Sequence, residues 1–357
     1  MKSFYIKDYI QKGISHSDSI EKCFAEANKE KGEKTIIFDG MDYFIDKAIL
    51  LSSDTRVIID NCTIKQNDYV FDNIFRGDNL LINGIDPYRE PLEVYPISNI
   101  KIMGTGNAKT VGTDKRRKGY HPFFKEEQEM VGDNWGYRTH MFSFSNCDGI
   151  EISGLKLRQT MGWATSFDSC KNGHIHDLDI ISNVHTGDGV DIRSGCSYFV
   201  VENIRGKTSD DSVACTALSR GKQQREFSRY LSVAEPYNSS HEGINCDIHH
   251  IKIRNIKTGG RYHGVICLTA FGNQIHDIEI SDIADTGEGD RKSTVMIYTG
   301  YGYGDGYKKG DIRDIKINNV ISEFSEYALK IECDAENITY ENIIQNRPYC
   351  EAIFENK

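Results

Sequence analysis

The chain has 357 residues, 38% of them hydrophobic and 27% charged, with only 6 prolines, which is the composition of a folded protein with a large core or a long stack, not of a disordered polymer. Its net charge of −10 argues against nucleic acid or an anionic membrane as partner, because both need clustered Lys and Arg. The one basic run, Lys115-Arg116-Arg117-Lys118, has no interleaved aromatics and reads as an exposed loop.

The opening residues, Met1 to Asp8, contain no apolar run and no small-residue cleavage site. No later stretch approaches the roughly 20 apolar residues of a membrane-spanning helix. A cytoplasmic location is therefore expected. Residues 17–29 follow with Ser19 as an N-cap and Ile20, Cys23, Phe24 and Ala27 at helical spacing, which predicts one amphipathic helix. After Gly32 the pattern turns to short strands, Thr35-Ile36-Ile37-Phe38, Tyr43-Phe44-Ile45, Val57-Ile58-Ile59 and Cys62-Thr63-Ile64, punctuated by turn residues. The helix then serves as a cap over the open end of the sheet.

From residue 97 onward one phrase returns: apolar, any residue, apolar, two polar residues, apolar. It reads Ile150-Glu151-Ile152-Ser153-Gly154-Leu155, then Phe199 to Ile204, Ile251 to Ile256, Ile278 to Ile283, Ile315 to Val320 and, more weakly, Ile338 to Ile343. Internal repetition of about two dozen residues leaves room for two or three strands per coil and none for a helix. An antiparallel sandwich is the alternative. Hairpin dipeptides are scarce and the phrase keeps one orientation, so a single all-β solenoid domain over 1–357 is preferred. Two polar stretches, 107–139 and 219–245, interrupt it and read as inserted loops walling a cleft.

Ten cysteines occur without a Cys-x-x-Cys pair, so neither a metal nor another cofactor is called for. Cys147, Cys170 and Cys196 recur at intervals of 23 and 26, which reads as a ladder of buried, reduced thiols.

The densest acidic segment is His185-Thr186-Gly187-Asp188-Gly189-Val190-Asp191, followed by Asp210-Asp211, with Asp188 and Asp211 lying 23 residues apart. One repeat per coil stacks these two acids on neighbouring strands roughly 4.8 Å apart. Repulsion then separates their pKa values, which suits an acid and a base for glycoside hydrolysis. A solvated or calcium-binding Asp-Gly turn is the alternative reading.

From about Gly104 to Tyr298 the chain resembles the pectin-lyase-like right-handed parallel β-helices, and among them it is most similar to the polygalacturonases of glycoside hydrolase family 28. The likeness rests on motif order: Trp135 and Arg138, then Phe142 to Cys147, then Gly162 to Phe167, then Asp188-Gly189-Val190-Asp191 where the family has Asn-Thr-Asp-Gly-x-Asp. Asp210-Asp211 falls where it has its Asp pair, and His263-Gly264-Val265 where it has Gly-His-Gly. Gly187, Thr186 and Tyr262 depart from the motifs, and the family's Arg-x-Lys pair is missing, its coil reading Val295-Met296-Ile297-Tyr298.

The resemblance implies a single-stranded right-handed parallel β-helix with an N-terminal capping helix. It implies an inverting hydrolase in which Asp210 is the general acid, Asp188 and Asp211 activate water, and His263 tunes the acid. Acid and base should then stand roughly 6.5–9.5 Å apart. Arg193, Arg220 and Arg261 are candidate replacements for the missing cations. Trp163, Tyr262, Tyr298, Tyr301 and Tyr303 are candidate sugar-stacking faces, and Asp191 is read as structural. The expected partner is an oligo- or polysaccharide, and a homo-oligomer is left open. A lyase or epimerase on the same scaffold, or a non-catalytic carbohydrate-binding solenoid, stands as the alternative.

Overall fold

The computed structural model describes residues 2–80, 94–121, 124–218, 245–287, 291–299, 303 and 306–356. Strands fall into one 15-stranded and one 10-stranded sheet. In the second sheet Phe142–Ser145, Thr165–Asp168, Val190–Arg193, Val213–Ala217, Tyr262–Thr269, Arg291–Thr299 and Tyr327–Glu332 follow one another, each pairing in parallel with the next. Between any two of them the chain passes through a strand of the first sheet, so the backbone winds as a coil. Crossovers between parallel strands are right-handed in almost all proteins, because a right-twisted strand returns to its sheet only that way. Among the described strands the one antiparallel pair is Lys118–His121 with Glu126–Glu129, which excludes the sandwich.

The recurring phrase explains each coil. Ile251, Ile253 and Ile256 point inward and are fully buried, and they stack in register on Ile278, Ile280 and Ile283 of the next coil. The second polar residue of the phrase is where the chain bends. Gly154, Asn203, Asn255, Asp282, Asn319 and Asn342 all have φ between 53° and 70°, the left-handed region that Gly, Asn and Asp tolerate best. Their side chains form a ladder on the outside of the bend: Asn203 Nδ2 donates to Asp177 Oδ1 at 3.0 Å and Asn255 Nδ2 to Asn203 Oδ1 at 2.7 Å. One position thus supplies both the turn and a bond to the neighbouring coil.

The coil begins earlier than the sequence suggests. Strand Lys2–Tyr5 pairs with Lys34–Phe38, ahead of the helix; with four residues and one buried side chain, Phe4, it is too short to display a period. The helix spans His16–Ala27 and buries Ile20, Cys23, Phe24 and Ala27 at the first coils. Its N-cap is Ser15, not Ser19: Ser15 Oγ accepts the Asp18 N–H at 3.0 Å, and Ser19 is buried inside the first turn.

All ten cysteines are free and eight are buried. Cys196 Sγ accepts the Cys170 N–H at 3.3 Å, and Cys215 stands opposite Cys267. Segment 107–139 opens inside the coil, since Lys109–Val111 pairs with Thr63–Gln66 and Lys156–Arg158. It then leaves the coil to form the hairpin and two short 3-10 turns, Asp133–Trp135 and Tyr137–Thr139. Of the other interruption, residues 219–244 lie outside the described residues.

Candidate active site

Val190, Val213, Val265 and Val295 form one inward-facing row in register. Two residues ahead of each stand Asp188, Asp211, His263 and Ser293, so the predicted residues stack because their strands do. Each side chain is tied to the next coil: Asp211 N donates to Asp188 Oδ1 at 3.2 Å, His263 N to Asp211 Oδ1 at 3.0 Å, and His263 Nδ1 lies 2.8 Å from Ser293 Oγ. Trp163 extends the row on the other side, two residues before Thr165, which pairs with Val190.

Close approach of the coils explains the glycines around Asp188. A Cβ on Gly189 would lie 2.3 Å from the Ser212 carbonyl oxygen, and one on Gly187 would lie 2.1 Å from Ser182 Oγ. No side chain fits at either place, which accounts for Gly187 where the resemblance leads one to expect Thr.

A cavity of ≈ 480 Å³ opens over this row, lined by five carboxyl groups, Asp133, Asp188, Asp191, Asp210 and Asp211. Trp163, Arg193, Thr216, Leu268 and Tyr303 complete much of its wall. A larger hollow of ≈ 730 Å³ lies on the outer face of the other sheet beside Tyr198, Lys252 and Glu279. There Lys252 and Glu279 pair at 3.3 Å, both more than half exposed, so that hollow is a solvated groove. The concentration of buried acids belongs to the smaller cavity.

Burial dominates the electrostatics, because a carboxylate removed from water loses its hydration. Asp188 is pushed well above the usual carboxylate range by burial and then by the charges of Asp191, Asp210 and Asp211. Asp211 moves the same way through burial and its neighbours Asp210 and Asp191, with Arg291 opposing. Asp191 is raised by burial against the pull of Arg193, and its carboxyl lies near enough to that of Asp188 to share a proton. Asp210 is raised to about 7 by burial and the charge of Asp133, while Arg261 and Lys292 pull it down. A site of this kind holds fewer negative charges than carboxyl groups, and protons pass between its members as a set.

The predicted residues divide into three groups. Asp188, Asp210 and Asp211 converge in the cavity, as do Trp163 and Arg193. His263 stands in the row with its backbone on Asp211, but its ring turns to Ser293 and is not part of the cavity wall. Burial and the charges of Arg291, Lys292 and Lys330 lower its pKa to about 3, so the imidazole is neutral. Arg193 is only 1% exposed, donates to Thr216 Oγ1 and lies 4.7 Å over the Trp163 ring. Trp163 is also stacked on His140 at 4.3 Å, so its faces already carry partners. Arg261 is exposed at the rim, with its charge felt by Asp210. Tyr262 carries Lys292 Nζ 5.3 Å above its ring. Tyr298 packs beside Ala214, Ile266, Leu268 and Met296. Arg220 and Tyr301 lie outside the described residues.

Four residues add to what the sequence reading assigned. Asp191, read as structural, is 1% exposed and lines the cavity with its carboxyl against that of Asp188. Asp133 enters from the 107–139 segment, where no repeat register marks it. His140, buried with neither ring nitrogen hydrogen-bonded among the described residues, lies against Trp163. Arg291 is 1% exposed, and its Nη2 donates to Ser212 Oγ at 3.2 Å. A Cβ on Gly264 would lie 2.6 Å from the Thr294 carbonyl oxygen and 2.8 Å from Arg291 Nη1, so the glycine after His263 is required by the close approach of the next coil's backbone, with this guanidinium beside it. Its only signal in the sequence is a lone Arg at the head of a buried strand.

No known family model matches the sequence, and no curated protein sequence is detectably similar. Solved structures do match across almost the whole chain. A hyperthermoactive exopolygalacturonase from Thermotoga maritima superposes with a TM-score of 0.62 at 16% identity, covering 96% of this chain and 88% of that one. An iota-carrageenase of family GH82 from A. fortis gives 0.62 at 10% identity, covering 100% and 90%. The surface protein and adhesin PfbA of Streptococcus pneumoniae gives 0.56 at 12% identity, covering 99% and 100%. With two parallel sheets wound from one chain, a helix at the first coils and these neighbours, the protein is a right-handed parallel β-helix.

Proposed function

We propose that the chain is a glycoside hydrolase that cleaves a poly- or oligosaccharide of pectic or related type with inversion. One observation carries this reading: Asp188 and Asp211 stand in one register row, with Asp210 beside them, in a single cavity. Enzymes among the structural neighbours, the exopolygalacturonase and the carrageenase, fit it, although at such low identity they speak for the fold.

In this mechanism Asp210, protonated near neutral pH, gives its proton to the leaving glycosidic oxygen. A water attacks the anomeric carbon from the opposite face and passes its proton to whichever of Asp188 and Asp211 the shared set of protons leaves ionised. One glycosidic bond and one water are consumed, and the new hemiacetal has the inverted configuration. The backbone N–H of His263 holds Asp211 in place, and the charge of buried Arg291 bears on it from behind. Sugar contacts would come from Tyr303 and the cavity wall, and at the rim from Arg261, Tyr262 and Tyr298. Arg193 is engaged by Trp163 and Thr216, so it serves the cavity wall more than a sugar carboxylate. A reducing, cytoplasmic setting goes with ten free cysteines.

Asp210→Asn is the test, on whichever member of a panel of uronic and neutral oligosaccharides the wild type cleaves. The nearly isosteric amide should leave the fold intact and lower turnover by about 10²–10⁴-fold, and NMR of the first-formed anomer should show inversion. A product with an ultraviolet-absorbing double bond would indicate a lyase instead. Wild-type turnover by Asp210→Asn would remove the assignment.

A further inference from the structure

The least expected member of the site is the carboxyl that the solenoid itself does not supply. Asp133 opens a 3-10 turn in the segment between Lys109–Val111 and Phe142–Ser145, and it is 7% exposed. Among the described residues its Oδ1 has no hydrogen-bond partner, and Asp133 lines the same cavity as Asp188, Asp191, Asp210 and Asp211. An unpaired buried carboxyl oxygen is costly, and a fold tolerates one where it does something.

The turn is held firmly. Asp133 N donates to Thr186 Oγ1 at 2.9 Å, and Gly132 N to the Met161 carbonyl at 2.6 Å. Gly132 has φ 85°, and a Cβ there would come within 2.9 Å of Thr186 Oγ1. Behind it Trp135 is buried with Phe71 and Met130. The attachments reach Met161 and Thr186, which stand just ahead of Trp163 and Asp188 on their coils, so the turn is fastened to the acid row.

We propose that Asp133 is a positioning carboxyl of this site, reaching over the cavity towards Asp210 so that the pair keeps a proton available for donation near neutral pH. The charge of Asp133 is the largest single-residue influence acting on Asp210, and geometry gives the reason: both line one cavity, Asp133 buried and Asp210 half-buried. Other groups bear on the pair. Burial raises Asp133 itself, against the Thr186 hydroxyl and the charges of His185 and Arg193, while the Asp211 backbone N–H, Arg261 and Lys292 favour the ionised form of Asp210. The charge of Asp210 in turn raises Asp188 and Asp211, and Tyr303 borders the cluster.

This builds on the reading of Asp210 as proton donor, but its test needs no substrate, so the two can fail separately. The carboxyl carbons of ¹³C-Asp-labelled full-length protein would be titrated by NMR, with Asp210→Asn and Asp133→Asn used to assign the resonances. In Asp133→Asn the Asp210 midpoint should fall by about one pH unit or more, as expected when a like charge a short distance away is removed. In Asp133→Glu it should return towards the wild-type value. Coupling between two sites is reciprocal, so in Asp210→Asn the Asp133 midpoint should fall by a similar amount. That second measurement decides the matter if Asp133→Asn does not fold. An Asp210 midpoint unmoved in folded Asp133→Asn, or an Asp133 midpoint unmoved in Asp210→Asn, would overturn the proposal, whatever either substitution does to thermal stability.

Discussion

A carboxyl as deeply buried as that of Asp191, 1% exposed, resists ionisation because the interior cannot replace the water it gives up. Its pKa rises from the ordinary carboxylate range to about 8, and each unit of difference between folded and unfolded states is worth about 1.4 kcal/mol. Since the folded pKa lies above the unfolded one, the folded state binds the proton more tightly. Stability is therefore highest below the unfolded pKa, near 4, and falls as pH rises towards the folded value. Asp191→Asn removes that penalty. Its melting temperature should exceed the wild type's by a margin that is small at pH 4 and grows through pH 6 to pH 8; a margin constant over that range would refute the account. Asp191 would then be an acid kept for chemistry at the expense of stability.

Along an element, the informative residue is the one at the bend. Asn255 holds φ 53° and bonds back to Asn203, so it carries conformation and contact together. Asn255→Gly keeps the conformation and loses the bond; Asn255→Ala loses both, and left-handed backbone costs a β-carbon-bearing residue roughly 1–2 kcal/mol. Urea midpoints should rank wild type above Gly and Gly above Ala, with Ala about 1 kcal/mol below Gly. Equal losses would mean that the bend is not strained.

The phrase was readable in the sequence because it repeats, and its apolar positions fix the register; that its second polar residue bends the chain came from the backbone angles. The same logic exposed Asp188 and Asp211, one coil apart. Asp133 and His140 were not readable, since they sit in a segment with no copy elsewhere in the chain, and Arg291 is a single position outside the repeated phrase. The direction of the His263 ring depended on Ser293 and the cations beyond it, contacts that motif order does not encode. The strand Lys2–Tyr5 was lost for a different reason, being too short to show alternation.

At the scale of the molecule, each coil touches little besides its two neighbours, so the energetics should be close to one-dimensional: a contribution from each coil and one from each junction. The acid row inherits this, since Asp188, Asp211 and His263 belong to successive coils and hold their positions only while those coils stay in register. Paired core substitutions test it. Ile253 stands directly opposite Ile280, whereas Ile102 lies four coils away from Ile253 in the same sheet, roughly 19 Å at about 4.8 Å per strand. Each single change to Ala should cost about 2–5 kcal/mol, from lost burial and the cavity left behind. Ile253→Ala with Ile102→Ala should be additive to within about 0.5 kcal/mol, while Ile253→Ala with Ile280→Ala should depart from additivity by about 0.5–3 kcal/mol, because the two cavities merge and one relaxation serves both. Equilibrium unfolding in urea measures both cycles. Strong coupling in the distant pair would mean that the stack responds as one rigid body, and the register of the acid row would then depend on coils far from the site.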